Sequence, residues 1–227
     1  MLDVVIPLGK GSKYNNIELK FCLRAMEKHL SGFKNVWIVG QLPDFLKNVY
    51  HIPYEDKHLI PDRNIMEKLA AACQHEDITD SWLMFNDDIF LLQDYEASTF
   101  PYYYDNTIEK YFKRRGNDGY GKRANNTLKY LRSQKLPDKY FDVHTPIVYN
   151  KKIFLENIVP LPWYQEGFII KSLYANMLKI KGEEMFDTKL NRPPRKDAKI
   201  FSTFPGVHSL VFKYLEEKFP TKSKYEI

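Results

Sequence analysis

The chain has 227 residues, long enough to bury a sizeable core and of a length for one large domain, or one domain with a small appendage. Its 44% hydrophobic and 28% charged residues are ordinary for a soluble globular protein, and its net charge of +5 is only mildly basic. No apolar run approaches the ~20 residues of a membrane span, and the opening MLDVVIPLGKG lacks the basic start of a signal peptide.

In chain order, LDVVIPL (2–8) reads as a buried parallel strand and GKGSKYNN (9–16) as a loop. IELKFCLRAMEKHL (17–30) carries apolar residues at helical spacing. NVWIVG (35–40) is a second strand, PDFLKNV a short helical turn and YHIPY (50–54) a third strand. NIMEKLAAACQH (64–75) is a helix with Asp62 as a candidate cap, and SWLMF (81–85) is a fourth strand. Helices of this length alternating with strands predict a mostly parallel α/β sheet.

The second half is less regular. GNDGYGKRANN (116–126) reads as a loop, and TLKYLRSQK after it as a helix. YFDVHTPIVYNKKIF (140–154) reads as a strand with a polar interruption, then the start of a helix. GFIIKSLYANMLKI (167–180) and HSLVFKYLEEKF (208–219) are helices flanking a late strand, KIFSTF (199–204). Cys22 and Cys73 lack metal-ligand spacing and read as free thiols of an intracellular, cytoplasmic protein.

In parallel α/β sheets ligands bind beyond the carboxyl ends of the strands. Three polar loops fall there: GKGS, PDRN and NDD. Asp87 and Asp88 sit between the apolar runs SWLMF and IFLL, and buried carboxylates require a partner. Oxygen ligands of this kind suit a hard divalent cation, Mg²⁺ or Mn²⁺; a plain turn is the alternative reading. Gly9 and Gly11 permit close backbone approach to phosphates, or simply a strand–helix turn. Arg63 and Asn64 start a helix at the same edge, where Arg suits a diphosphate and Asp62 suits capping. Asp142 and His144 alternate along the expected strand and are candidates for acid–base work, as is Glu166 in the aromatic WYQEG (163–167). His208 is a candidate late metal ligand.

From Glu109 to Lys139 there are ten Lys or Arg against three acids, an excess of seven that leaves the rest of the chain slightly acidic. With Tyr111, Phe112, Tyr120 and Tyr130 interleaved, this segment suits a polyanion such as DNA, or is a solvated face.

The order DVVIPLG, ELKFCLRAMEKHL, NVWIVG, LMFNDDIFLL resembles the nucleotide-sugar-binding half of GT-A-fold glycosyltransferases. Locally, NNIELKFCLRAMEKH…KNVWIVG…PDFLKNV…FNDDIFLL is similar to the second conserved region of Stealth-type sugar-phosphate transferases, over about residues 3–93. The resemblance implies a single GT-A-like (Rossmann-like) α/β domain over 1–227. Residues 1–95 would hold the nucleotide sugar, and 96–227, with the basic segment 109–139, would form the acceptor side. It further implies that Asp87 and Asp88 bind Mn²⁺ or Mg²⁺ bridging the donor diphosphate and that Asn86 holds that edge. Pro7 to Gly11 would cradle the nucleotide, and Arg24 and Arg63 would neutralise phosphate. VVIPLGKGS lacks the acid of the matching Stealth segment, which favours ordinary glycosyl transfer to a polysaccharide or modified DNA. The alternatives are a Stealth-like hexose-phosphate transfer and a nucleic-acid-binding protein without catalysis.

Overall fold

The computed structural model describes residues 1–10, 12, 14–116, 118–163, 167–204 and 209–227. The chain runs β1 (Leu2–Leu8), α1 (Ile17–His29), β2 (Leu30–Ser31), β3 (Phe33–Gly40), β4 (Tyr50–Pro53), α2 (Pro61–Gln74) and β5 (Ser81–Met84). It continues through β6 (Ile89–Leu91), β7 (Tyr95–Glu96), β8 (Tyr103–Tyr104), α3 (Ile108–Arg115), α4 (Gly119–Ser133), β9 (Ile147–Asn150) and α5 (Lys151–Asn157). It closes with α6 (Ile170–Met177), β10 (Glu183–Glu184), β11 (Lys189–Leu190), β12 (Ile200–Thr203) and α7 (Ser209–Lys218).

The fold is mixed α/β, built on a five-stranded sheet in the order β4-β3-β1-β5-β9. Its first four strands are parallel, and only β9 runs antiparallel, Trp82 facing Tyr149. This arrangement is compatible with a Rossmann-like fold. The β-branched run Val4, Val5, Ile6 is fully buried, as a central strand covered on both faces must be. Asp3, at the foot of β1, is also fully buried. Its carboxylate accepts the N–H groups of Asn35 (3.0 Å) and Thr79 (2.8 Å), tying β1 to its neighbouring segments.

After β5 the chain leaves this sheet. β6 joins a second, smaller sheet, β11-β12-β6, in which β12 runs antiparallel to β6 with Phe201 opposite Phe90. Residues 86–88 are therefore the turn between two sheets. Both flanking runs are apolar because Trp82–Met84 and Ile89–Leu91 are all buried.

Three sequence expectations are corrected. α2 starts at Pro61, whose fixed φ and missing N–H suit a first turn, so Asp62 is not a cap. Its carboxylate instead pairs with Arg123 at 2.6 Å. α4 begins inside the expected 116–126 loop, because Asp118 caps it by accepting the Gly121 N–H at 2.7 Å. Residues 140–146 are irregular, and the strand begins only at Ile147. The two-residue strands of the second half carry too few residues to show a period in the sequence.

The carboxyl terminus is fastened to α1. Arg24 donates to both Glu226 carboxylate oxygens at 2.7 Å and to the Phe219 carbonyl at 3.0 Å. Burial pushes the Glu226 carboxyl up, but its bonds from Arg24 and Ser223 outweigh this and hold it below its ordinary value. A depressed folded value means stability that is present above the unfolded value and is lost as pH falls through the folded one. Glu226→Gln should therefore destabilise the protein by about 3 kcal/mol at pH 7. The gap to wild type should close in acid, where wild type carries a neutral carboxyl too. Denaturant titration at several pH values checks this, and a pH-independent gap contradicts it.

Candidate active site

β1, β3, β4 and β5 end at one edge of the central sheet, at Leu8, Gly40, Pro53 and Met84. Two adjoining hollows open there and share Gly9 and Asp56. The first, about 460 Å³, runs from Gly9 past Gly40 and Gln41 to Tyr54. The second, about 430 Å³, contains Pro7, Glu18, Lys68, Asp87, Asp88 and Lys189 in its wall. Gly40 has φ +122°, and a Cβ there would overlap the Leu8 carbonyl oxygen. Strands β1 and β3 thus approach closely only because this side chain is missing.

The loop after β1 is organised by Ser12. Its hydroxyl accepts the Tyr14 and Asn16 N–H groups (3.2 and 2.9 Å) and donates to Glu18 at 2.9 Å. On α2, Pro61, Asn64, Ile65 and Lys68 line the second hollow. Their spacing of three, four and seven is one helix face. Asn64 accepts the Lys57 and His58 N–H groups (3.1 and 2.9 Å) and donates to the His58 carbonyl at 2.7 Å, so it shapes the loop before α2. Lys68 is buried and holds Asp56 at 2.5 Å.

The Asn86–Asp88 turn carries unusual electrostatics. Burial, then Asp88, then Glu18 push the Asp87 carboxyl up to about 7, against a backbone N–H and Lys189. Asp88 Oδ2 accepts from the Ser202 hydroxyl at 3.0 Å and faces the Lys189 ammonium at 3.7 Å. Its other oxygen, Asp88 Oδ1, is buried without a hydrogen-bond partner, as are Asn86 Oδ1 and Thr203 Oγ1. Buried oxygens left this way cost free energy unless something binds them.

Lys189 has a fixed backing. Its ammonium lies 3.3 Å from His144 Nε2, and His144 Nδ1 lies 2.8 Å from Asp187. The ammonium has only protons to offer, so Nε2 accepts and Nδ1 carries the hydrogen donated to Asp187. Burial pushes the Asp187 carboxyl up, but its bonds with His144 hold it below its ordinary value. The chain Asp187–His144–Lys189–Asp88 thus links the irregular half of the fold to the acidic turn. Beneath it, Lys171 is buried and donates to the Val143 and Thr145 carbonyls at 3.1 and 2.6 Å. Burial lowers its ammonium to about 8 against the pull of Asp142.

The structure brings together Pro7, Gly9, Asn64, Asp87 and Asp88, with Asn86 in the same turn. His144 reaches this group only through Lys189. Three other candidates face elsewhere. Arg24 is occupied by Glu226. Arg63 lines a separate hollow on the far side of the first turn of α2. Asp142 is half-buried and accepts the N–H groups of Lys171 and Ser172 (3.3 and 2.8 Å), capping α6. Asp142 and His144 therefore do not share a strand face. Gly11, Glu166 and His208 lie outside the described residues.

Glu18, Asp56, Lys68 and Lys189 are cleft residues that the sequence reading passed over. The helical spacing from Asn64 to Lys68 carried one usable signal. Lys189 had none, because it arrives through pairing with Ser202, itself paired with Ile89 next to Asp88.

Among the described residues no cluster of three His, Cys, Asp or Glu is arranged as a complete metal site. The acidic turn nevertheless suits a hard cation. Two carboxylates, the free Asp88 Oδ1 and the Asn86 and Thr203 oxygens are all oxygen donors, the set Mg²⁺ and Mn²⁺ prefer. Among the described residues of the second hollow, four carboxylates, Glu18, Asp56, Asp87 and Asp88, face two ammonium groups, Lys68 and Lys189.

No helix among the described residues is long and apolar enough to cross a membrane. No protein-family model matches the chain, and comparison with curated proteins finds no match.

Proposed function

We propose that this protein is a metal-dependent, GT-A-like glycosyltransferase that takes a sugar from a nucleotide-diphosphate sugar. The observation that carries the reading is the placement of Asp87 and Asp88. They form the turn between two sheets, at the carboxyl edge of the parallel strands, with Asp88 Oδ1 buried and unpartnered.

In this reading the hollow from Gly9 to Tyr54 receives the nucleoside, and the hollow above the acidic turn receives the diphosphate. Asp87 and Asp88, aided by Asn86, would hold a Mn²⁺ or Mg²⁺ ion. When bound, that ion supplies charge neutralisation for the departing diphosphate. Lys68 and Lys189 add two fixed ammonium groups to the same wall. Their positions are set in advance, Lys68 by Asp56 and Lys189 by His144, so little reorganisation is needed as charge develops. As an acceptor hydroxyl oxygen bonds to the anomeric carbon and gives its proton to solvent, the bond from that carbon to the diphosphate oxygen breaks and its electron pair stays on the diphosphate, facing these groups. His144 acts as a positioning residue for Lys189, and Asp142 serves the fold.

Stealth-like phosphoryl-sugar transfer uses the same donor and differs in the bond broken. Incubating the protein with UDP-, GDP-, CDP- and ADP-sugars, Mn²⁺ and an acceptor, polysaccharide or modified DNA, and identifying the released nucleotide separates the two. The expected product is a nucleoside diphosphate, formed only with metal. A nucleoside monophosphate assigns phosphoryl-sugar transfer instead, and no release from any donor contradicts both.

A further inference from the structure

Beside the donor cleft lies a third hollow of about 230 Å³. The first turn of α2 divides the two: Pro61, Asn64 and Ile65 face the cleft, while Ile60, Asp62 and Arg63 face the third hollow. Its opposite wall is the start of α4, with Lys122 and Arg123, and its apolar side is Trp163 with Phe168. Among the described residues, three cations therefore meet one acid there.

The hollow is closely built. Arg123 pairs with Asp62 at 2.6 Å, lies 5.1 Å from the Tyr120 ring centre, and keeps its Nε buried without a hydrogen-bond partner. Gly167, at φ +71°, lies so near that a Cβ would press on the Arg123 side chain at 3.0 Å. Trp163 and Phe168 meet edge to face at 5.3 Å between ring centres. A fixed guanidinium beside an aromatic wall matches a small ligand that is part oxyanion and part apolar face, as a charged sugar is.

The rest of the basic segment does not extend this hollow into a strip for a polyanion. Lys113 and Arg132 pair with Glu109, and Arg115 pairs with Asp118. Three of the ten cations in 109–139 are thus paired within the α3–α4 hairpin. What faces the hollow is Lys122 and Arg123, joined by Arg63 from α2.

We propose that this third hollow is the acceptor subsite, and that it selects a sugar carrying an oxyanion, either phosphate or carboxylate. The proposal rests on the transferase reading only for the word acceptor; the anion site itself stands on its own geometry.

The test is ligand-observed NMR titration of the whole protein with glucose 6-phosphate, glucuronate and uncharged glucose. Wild type, Lys122→Glu and Arg123→Lys are compared. Lys122 is exposed, so its reversal leaves the fold intact. Arg123→Lys keeps a charge opposite Asp62 while removing the fork. One or both charged sugars should bind and glucose should not, and which of them binds identifies the oxyanion. Each variant should weaken binding about tenfold or more, the loss of one charge-assisted hydrogen bond. Nucleotide binding in the donor cleft, measured in parallel, should be unchanged. If nucleotides fail to bind while the charged sugar binds as described, the donor reading falls and the anion subsite stands. The subsite is overturned if glucose binds as tightly as the charged sugars, if none of the three binds, or if Lys122→Glu leaves affinity unchanged. Displacement of the charged sugar by short duplex DNA, with higher affinity than the sugar, would assign the hollow to nucleic acid instead.

Discussion

Asp88→Asn is expected to lower turnover about a thousandfold while the protein stays folded. The two halves of this expectation have separate causes. Asn keeps an oxygen in place to accept from the Ser202 hydroxyl, so the contact between the acidic turn and β12 survives. It also removes one of two adjacent acids that raise each other's energy when both are charged. Thermal stability without metal should therefore change little. What disappears is the carboxylate whose Oδ1 is buried and free, and with it a principal ligand of the cation. Losing one preorganised charge stabiliser costs about 10²–10³ in rate, and losing the metal with it adds to this. Steady-state kinetics with Mn²⁺ in excess check the first half, and a melting curve checks the second. Near-wild-type turnover in this variant contradicts the metal role.

Lys189→Ala should cost about a hundredfold in turnover, with a different signature. The ammonium lies 3.7 Å from Asp88 and 3.3 Å from His144 Nε2. Removing it takes a fixed positive charge from the wall where the diphosphate leaves. It also removes a cation that competes for Asp88. Metal affinity should therefore hold or rise, whereas in Asp88→Asn it should fall. Lys189→Arg, which retains the charge but changes its shape and reach, should recover part of the loss. Metal titration followed by Mn²⁺ electron paramagnetic resonance, beside kinetics, distinguishes the two variants. A fall in metal affinity in Lys189→Ala would show that Lys189 organises the turn rather than the leaving group.

The first half of the fold is legible in the sequence because its elements are long and covered on both sides. LDVVIPL is a continuous β-branched run and the helix after it carries a full period, and β1 and α1 form where these place them. The acidic turn was legible for a related reason: carboxylates between two apolar runs must be at a boundary, and here the boundary is between two sheets. The second half was harder to read because its structure is set by single contacts. A cap at Asp118 turns a Gly-containing stretch into helix, and a cap at Asp142 removes a candidate base. Arg24 looked like a phosphate ligand because the sequence does not reveal that Glu226, 202 positions away, would occupy it. Arg63 was misplaced by one residue's rotation about α2, since the cleft face carries Asn64 and Lys68.

The most direct measurement is a thermal-shift panel of UDP, GDP, CDP and ADP, each with and without Mn²⁺, on wild type and Asp88→Asn. A ligand at a hundred times its dissociation constant adds about 2.7 kcal/mol, a rise of about 5–10 °C for a chain of this length. The predicted result is such a rise for one nucleotide, dependent on Mn²⁺ and absent in Asp88→Asn. Wild type that shifts with no nucleotide, or equally with and without metal, contradicts a metal-dependent nucleotide-sugar site at the Asp87–Asp88 turn.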